Sequence, residues 1–213
     1  MTKAALNPQN FVDAALEVID EVGVDKLTMR RVALALGVSP MALYKHFANK
    51  DELLAAALEE MIVRADVLPT QDLPWQDWVR HVANGMYAAL CAETSWVPLL
   101  GSLRLGGQAN AVIDAFVNKL CAAGFNTEQA LEALFAMLQL VIGAVCLHAS
   151  LRPLSAAAQG DEALTALTHA YLQNADRRRL EAASDLDRVV RRDQLTLGLP
   201  FLISALEAQL PRG

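Results

Sequence analysis

The chain is 213 residues long, 54% apolar and 20% charged, with a formal net charge of −6 and a pI near 5.2. So much apolar sequence can bury a substantial core in one or two domains, which excludes a disordered chain, and the acidic balance excludes a general polyanion binder. Three cysteines, Cys91, Cys121 and Cys146, are odd in number and widely spaced, so they read as reduced packing residues rather than a disulfide framework.

From the amino end, Asn7-Pro8 supplies a cap and first-turn pair, and Phe11, Ala15, Val18 and Val22 form an apolar stripe that Gly23 ends. Residues 27–54 then read as two short helices joined by a glycine turn, with a third opening on Asn49. Thr28 can cap the first, and Leu27 can staple onto Val32. Val32, Ala33 and Leu36 make its apolar stripe, and Gly37 stops it because glycine takes φ > 0 without steric cost. Ser39 is placed to cap the second helix and Pro40 sits at its first position, where a missing N–H costs nothing. Val38 and Leu43 form a second staple. Leu43 and Phe47, four apart, must face inward, which turns Met41, Tyr44 and Lys45 outward. Asn49 and Glu52 form a capping-box-like pair that leaves Lys50 in the first turn of the next helix.

That helix should stop at about Asp66, before Pro69, which places a boundary between residues 1–66 and 67–213. Beyond it the periodicity predicts helices over 75–91 (Trp75, Val79, Val82 and Met86 on one side), a short piece over 96–105, and 108–123 through Val112, Phe116 and Leu120, stopped by Gly124. Asn126 with Gln129 opens the longest apolar helix, expected to end before Pro153. Helices over 162–174 and about 186–210 complete the chain, with Pro200 forcing a kink or a later start at Leu199. No strand-like alternation persists, so the fold class is all-α. The uncharged run 133–147 is fifteen residues and includes Gln139, short of the roughly 20 a membrane span needs, so it reads as a buried core helix. Its face of Leu131, Phe135, Leu138, Ile142 and Val145 suits the core. Its face of Ala136, Leu140, Gly143, Ala144 and Leu147 suits close helix approach, and with Leu195, Leu199, Leu202, Leu206 and Leu210 of the last segment it is expected to form, two segments from each subunit, a four-helix dimer interface.

Charge is distributed unevenly. Between Lys26 and Lys50 stand Lys26, Arg30, Arg31, Lys45 and Lys50 with no acidic residue, so the window carries +5 and the rest of the chain −11. A compact basic patch on an acidic body fits one duplex surface bound through one face. The second basic cluster, Arg177 to Arg179 with Arg188, Arg191 and Arg192, is interleaved with acids at i,i+4 spacing and reads as a solvated face.

At these residues the chain resembles a known family. Thr28-Met29-Arg30, Leu36-Gly37-Val38, Leu43-Tyr44-Lys45-His46-Phe47 and Asn49-Lys50-Asp51-Glu52-Leu53 are similar to the T-x-R, L-G-V, L-Y-x-H-F and N-K-x-x-L signatures of the tetracycline-repressor (TetR) family. The preceding helix, ending in its glycine stop, matches as well, so the likeness covers about the first 65 residues. It implies an amino-terminal three-helix helix-turn-helix domain that lays its second helix in the major groove, and a larger helical domain for ligand binding and dimerisation. It also implies a homodimer that binds double-stranded DNA at a palindromic operator, represses transcription, and is released by an unknown small-molecule effector.

On this reading Tyr44 and Lys45 reach phosphate or base edges. Ser39, Pro40, Met41 and Ala42 lie nearest the bases, with Met41 and Ala42 suited to thymine methyl groups. His46 and Lys50 should reach phosphate, though His46 also fits a half-buried packing role. Thr28 and Arg30 hold the other side of the groove. Polar or aromatic residues stranded on apolar helices are pocket candidates: His81, Tyr87, Trp96, Phe116, Gln139 and His148, each equally readable as core or interface packing. No H-E-x-x-H, C-x-x-C, G-x-S-x-G or G-K-[ST] motif occurs, and Gly106-Gly107 lacks a following lysine, so neither an enzyme, a metal nor a cofactor is expected. An effector-independent DNA-binding regulator and, more remotely, a helical enzyme remain the alternatives. Residues 1–10 lack the apolar run of a signal peptide, and a cytoplasmic protein with no membrane partner is expected.

Overall fold

The computed structural model describes residues 7–100, 106–157 and 192–210, with side chains in the second stretch described as far as Ser150. The helices are α1 (Pro8–Val22), α2 (Met29–Ala35), α3 (Pro40–Tyr44), α4 (Lys50–Ala65), α5 (Trp75–Ala92), α6 (Gly107–Ala122), α7 (Thr127–Ala157) and α8 (Gln194–Glu207), with 3-10 turns at Val24–Lys26 and Thr94–Leu99. No strand occurs among the described residues. The expected helix over 162–174, most of the second basic cluster and the start of the final segment lie outside them.

The chain divides into two compact units, one running to Ala130 and one from Leu131 onward. In the first, α1 packs on α4 and α2, α2 on α3, and α4 on both α5 and α6, so the amino-terminal helices share a unit with α5 and α6. Local chemistry accounts for most helix ends. Asn7 and Asn10 exchange side-chain and backbone bonds of 3.0 and 2.9 Å, a closed capping box ahead of Pro8. Asn126 and Gln129 do the same, both at 2.9 Å, and open α7. At the other end of α2, Gly37 adopts φ 65° and the Val38 N–H reaches back to the Ala33 carbonyl at 2.9 Å while that of Gly37 reaches Leu34 at 3.0 Å. This paired return is a Schellman motif. Gly124 (φ 105°) closes α6 with the same pair of bonds, from Phe125 to Leu120 and from Gly124 to Cys121. Trp75 stacks edge-on against Phe125, and Trp78 against Phe116, inside this unit.

In the second unit three expectations need correction. First, α7 continues through Pro153 to Ala157 instead of ending before the proline. Second, α8 is continuous from Gln194 to Glu207 with Pro200 inside it, so it does not start at Leu199. Asp193 caps it, accepting from the N–H groups of Leu195 and Thr196 at 2.9 and 3.1 Å. Pro200 and Thr196 are both exposed, so the Thr196 carbonyl that loses its helical donor can be met by water. Third, the two faces of α7 are assigned differently. Ala130, Ala133, Leu134, Met137, Val141, Ala144 and Val145 are buried, whereas Leu131 and Phe135, expected in the core, are exposed. On α8 the buried set is Leu195, Leu199, Ile203 and Leu206, and Phe201 is 79% exposed. A helix apolar nearly all round has no moment to orient it. A β-carbon on Gly198 would overlap the end of the Leu140 side chain, so α7 and α8 approach each other closely where α8 has no side chain. By length and composition residues Thr127–Ser150 could cross a membrane; a core helix, with one side buried as here, meets the same description.

A β-carbon at Gly37 would meet nothing within 4 Å, so the cost of replacing this glycine lies in the backbone alone. Gly37→Ala should destabilise the protein by roughly 1–2 kcal/mol in denaturant unfolding, and Gly37→Asn, which tolerates left-handed geometry, by clearly less. Equal losses for the two would show that the turn is not what the glycine serves.

Candidate nucleic-acid interface

The helix-turn-helix is assembled from short pieces held from below. Leu27, Val32 and Leu43 are fully buried and Phe47 nearly so, which anchors α2 and α3 to the interior of the three-helix bundle. Thr28 Oγ1 accepts the Arg31 N–H at 3.2 Å and starts α2, leaving its own hydroxyl proton available to an acceptor in solvent. Arg31 is committed elsewhere: its guanidinium donates to the Lys26 carbonyl at 3.1 Å. Ser39 occupies the residue before α3 and Pro40 the first helical position, but the Ser39 side chain makes no capping bond, contrary to expectation. The turn and the fixed φ of Pro40 start α3 without it.

With Leu43 and Phe47 inward, Met41 (68% exposed), Tyr44 (49%) and Lys45 stand outward. Thr28, Arg30, Ser39, Pro40 and His46 are also exposed, and Ala42 and Lys50 are half-buried. All ten residues expected at a duplex are therefore accessible. One ring face of His46 lies against buried Phe11, with centroids 5.2 Å apart, so this side chain combines a packing contact with exposure. Leu34, 79% exposed, was not singled out by the sequence; it lies four residues from Arg30, on the outer side of α2.

The start of α4 places Lys50. Asn49 Oδ1 accepts the Glu52 N–H at 2.9 Å as expected, but the Glu52 carboxylate closes on the Ala48 N–H at 2.6 Å, one residue earlier than a capping box would. The far end of α4 is tied to α1: Arg64 donates to Glu60 at 2.8 Å and pairs with Asp13. Glu60, then Asp13, raise the affinity of this guanidinium for its proton. In the segment after α4, Asp72 is bound by the Lys119 ammonium of α6 at 2.8 Å, which holds its carboxyl below the usual carboxylate range. The contact thus contributes above the unfolded carboxylate's pKa and is lost as pH falls through the lowered value.

Of the expected pocket residues, Tyr87, Trp96 and Phe116 are buried in the first unit, the last against Trp78. His81 and Gln139 are exposed and His148 is half-buried. Among the described residues no buried side chain is polar or charged, and no group of three or more His, Cys, Asp or Glu is placed to hold a metal ion.

A basic helix-turn-helix on a larger helical body defines a DNA-binding regulator. Comparison with known proteins is specific. Residues 11–57 match the family of bacterial regulatory proteins of the tetR type, and residues 68–210 match the tetracyclin repressor-like carboxy-terminal domain. The class A tetracycline repressor of Escherichia coli is 37% identical over 147 residues, covering 68% of this chain and 67% of its own, and the class C repressor is 33% identical over 162 residues, covering 75% and 74%. A possible TetR family regulator from Streptomyces coelicolor superposes with a TM-score of 0.73 at 27% identity, over 95% of this chain and 99% of its own. A TetR variant from Acinetobacter baumannii, solved with minocycline, gives 0.68 at 27% identity, over 96% and 98%. The chain belongs to the TetR family of transcriptional regulators.

Removing the cap that sets Lys50 should be measurable in the absence of DNA. Asn49→Ala should cost about 1 kcal/mol of stability by thermal or denaturant unfolding, as loss of an N-cap does. An unchanged midpoint would mean that the Glu52 carboxylate alone sustains the helix start.

Proposed function

We propose that this chain is a homodimeric repressor whose paired recognition helices bind a palindromic duplex operator and whose larger helical part, residues 67–213, releases that operator on binding a small molecule. The observation that carries this is the outward stand of Met41, Tyr44 and Lys45 over buried Leu43 and Phe47. In this reading Thr28, Arg30, His46 and Lys50 hold phosphates. Ser39, Pro40, Met41 and Ala42 face base edges, where the apolar pair favours thymine methyl groups over hydrogen-bonded readout. Tyr44 and Lys45 reach phosphate or base.

Dimerisation is supported by the exposed apolar side chains of the second unit, Leu131, Phe135 and Leu147 on α7 and Phe201 on α8, which a second copy would cover. Leu195, Leu199 and Leu206 are buried within the subunit and do not belong to that face. Response to an effector is supported by relatives named tetracycline repressors and by the neighbour solved with minocycline. A molecule entering the first unit among Tyr87, Trp96 and Phe116 would meet apolar and aromatic walls, so the effector is proposed to be largely apolar. His81, Gln139 and His148 stand outside that buried set. The protein acts without catalysis, in the cytoplasm where duplex DNA is reached.

Selection from random duplex DNA should return a two-fold palindrome; recovery of no sequence, or of one without symmetry, would overturn the reading. On the selected duplex Lys50→Ala should weaken specific and random DNA alike, by roughly ten-fold, and reduce the salt slope by about one, while Met41→Ala should change which bases are preferred. Phe201→Asp should shift sedimentation from a dimer to a monomer at micromolar concentration. A wild-type protein that sediments only as a monomer would remove the dimer.

A further inference from the structure

The methionines of this chain differ sharply in their access to solvent. Among the described residues Met29 and Met137 are buried and Met61 and Met86 half-buried, whereas Met41 is 68% exposed. A methionine commonly fills an irregular gap in a core, where its soft thioether packs well. Met41 fills none. It is the second residue of α3, on the side away from buried Leu43 and Phe47, so a thioether is presented to solvent by the helix expected in the groove. An oxidant arriving from solvent meets this sulfur ahead of those of the other four. Because the side chain stands in solvent, a change in its polarity takes no packing from the three-helix bundle.

We propose that Met41 is a reversible oxidation site at which peroxide lifts the protein from DNA. The proposal rests on the DNA-binding reading above. The sulfur attacks one oxygen of hydrogen peroxide; the O–O bond breaks as the S–O bond forms, the proton on the transferred oxygen passes to the departing one, and water leaves. Sulfur loses two electrons and the peroxide gains them. The product is methionine sulfoxide, polar where the thioether was apolar. In the free protein the new oxygen is hydrated. Pressed on a thymine methyl group it would surrender that water without gaining a donor, a penalty that exists only in the complex. The linkage runs both ways, so a bound duplex covers the thioether and slows its oxidation. A sulfoxide reductase restores the thioether, two thiols becoming a disulfide as the oxygen leaves in water.

Full-length protein oxidised to about one half by hydrogen peroxide, then passed over immobilised duplex selected from random DNA, tests this. Peptide mass measurement should find Met41 the first methionine converted, with its sulfoxide at least about ten-fold depleted in the retained fraction, and the unfolding midpoint unchanged. Prior saturation with the duplex should slow conversion of Met41 by about ten-fold, and sulfoxide reductase should return the unretained fraction to the duplex. Met41→Leu, compared with its own untreated affinity, should lose less than about two-fold on peroxide treatment, whereas Cys146→Ala, which removes the exposed thiol, should respond as the unaltered protein does. Sulfoxide shared equally between the fractions, earlier conversion of Met61 or Met86, or a full response in Met41→Leu would overturn the oxidation site alone. Failure of the untreated protein to bind any duplex would overturn the DNA-binding reading and the site with it.

Discussion

A helix of five residues has no stability of its own, because nucleation costs more than one turn of hydrogen bonds returns. Everything outward on α3 therefore depends on the burial of Leu43 and Phe47 beneath it and on the left-handed Gly37 that delivers the chain to Pro40. That anchorage leaves Met41, Tyr44 and Lys45 unburied on the opposite side. Their exposure is the reverse side of a packing requirement, and it presents large apolar and cationic groups to solvent without sacrificing the core.

The same bundle is fastened at several points by groups far apart in the chain. The Val24 N–H, just after the glycine that ends α1, is accepted by Ser95 Oγ at 3.1 Å, and Ser95 is itself bound through its N–H by Glu93 at 3.0 Å. Arg64 joins α4 to α1, Lys119 joins α6 to the segment after α4, and Glu59 joins α4 to α6. The buried set among the described residues holds aliphatic and aromatic side chains and no charged one. Apolar packing supplies cohesion, and exposed or half-buried polar contacts set the relative placement of helices.

Local rules were readable from the amino acids and long-range choices were not. Asn7, Thr28, Asn49 and the Asn126–Gln129 pair cap the helices that their positions predict, and Gly23, Gly37 and Gly124 end them, because each such signal acts within four or five residues. The outward set on α3 followed from two inward residues four apart. Ser39 shows the limit even locally, since proline and the turn make its cap dispensable. The faces of α7 were misread because leucines and phenylalanine surround it and no period favours one side. Prolines 153 and 200 are carried within helices that a local rule would end. Glu59 was invisible, as its partners lie 47 to 50 residues away; the one hint was a glycine pair at a helix start with nothing to cap it.

Gly198 has a wider consequence. The contacts that seat α8 on α7 involve this glycine, and the buried side of α8 is Leu195, Leu199, Ile203 and Leu206, whereas Phe201 and its exposed neighbours take no part in that seating. With the proposed dimer, fold maintenance and self-recognition are written in separate letters of one helix. After a gene duplication, the outer letters can diverge until two sister proteins no longer exchange subunits, while the inner ones keep each of them folded.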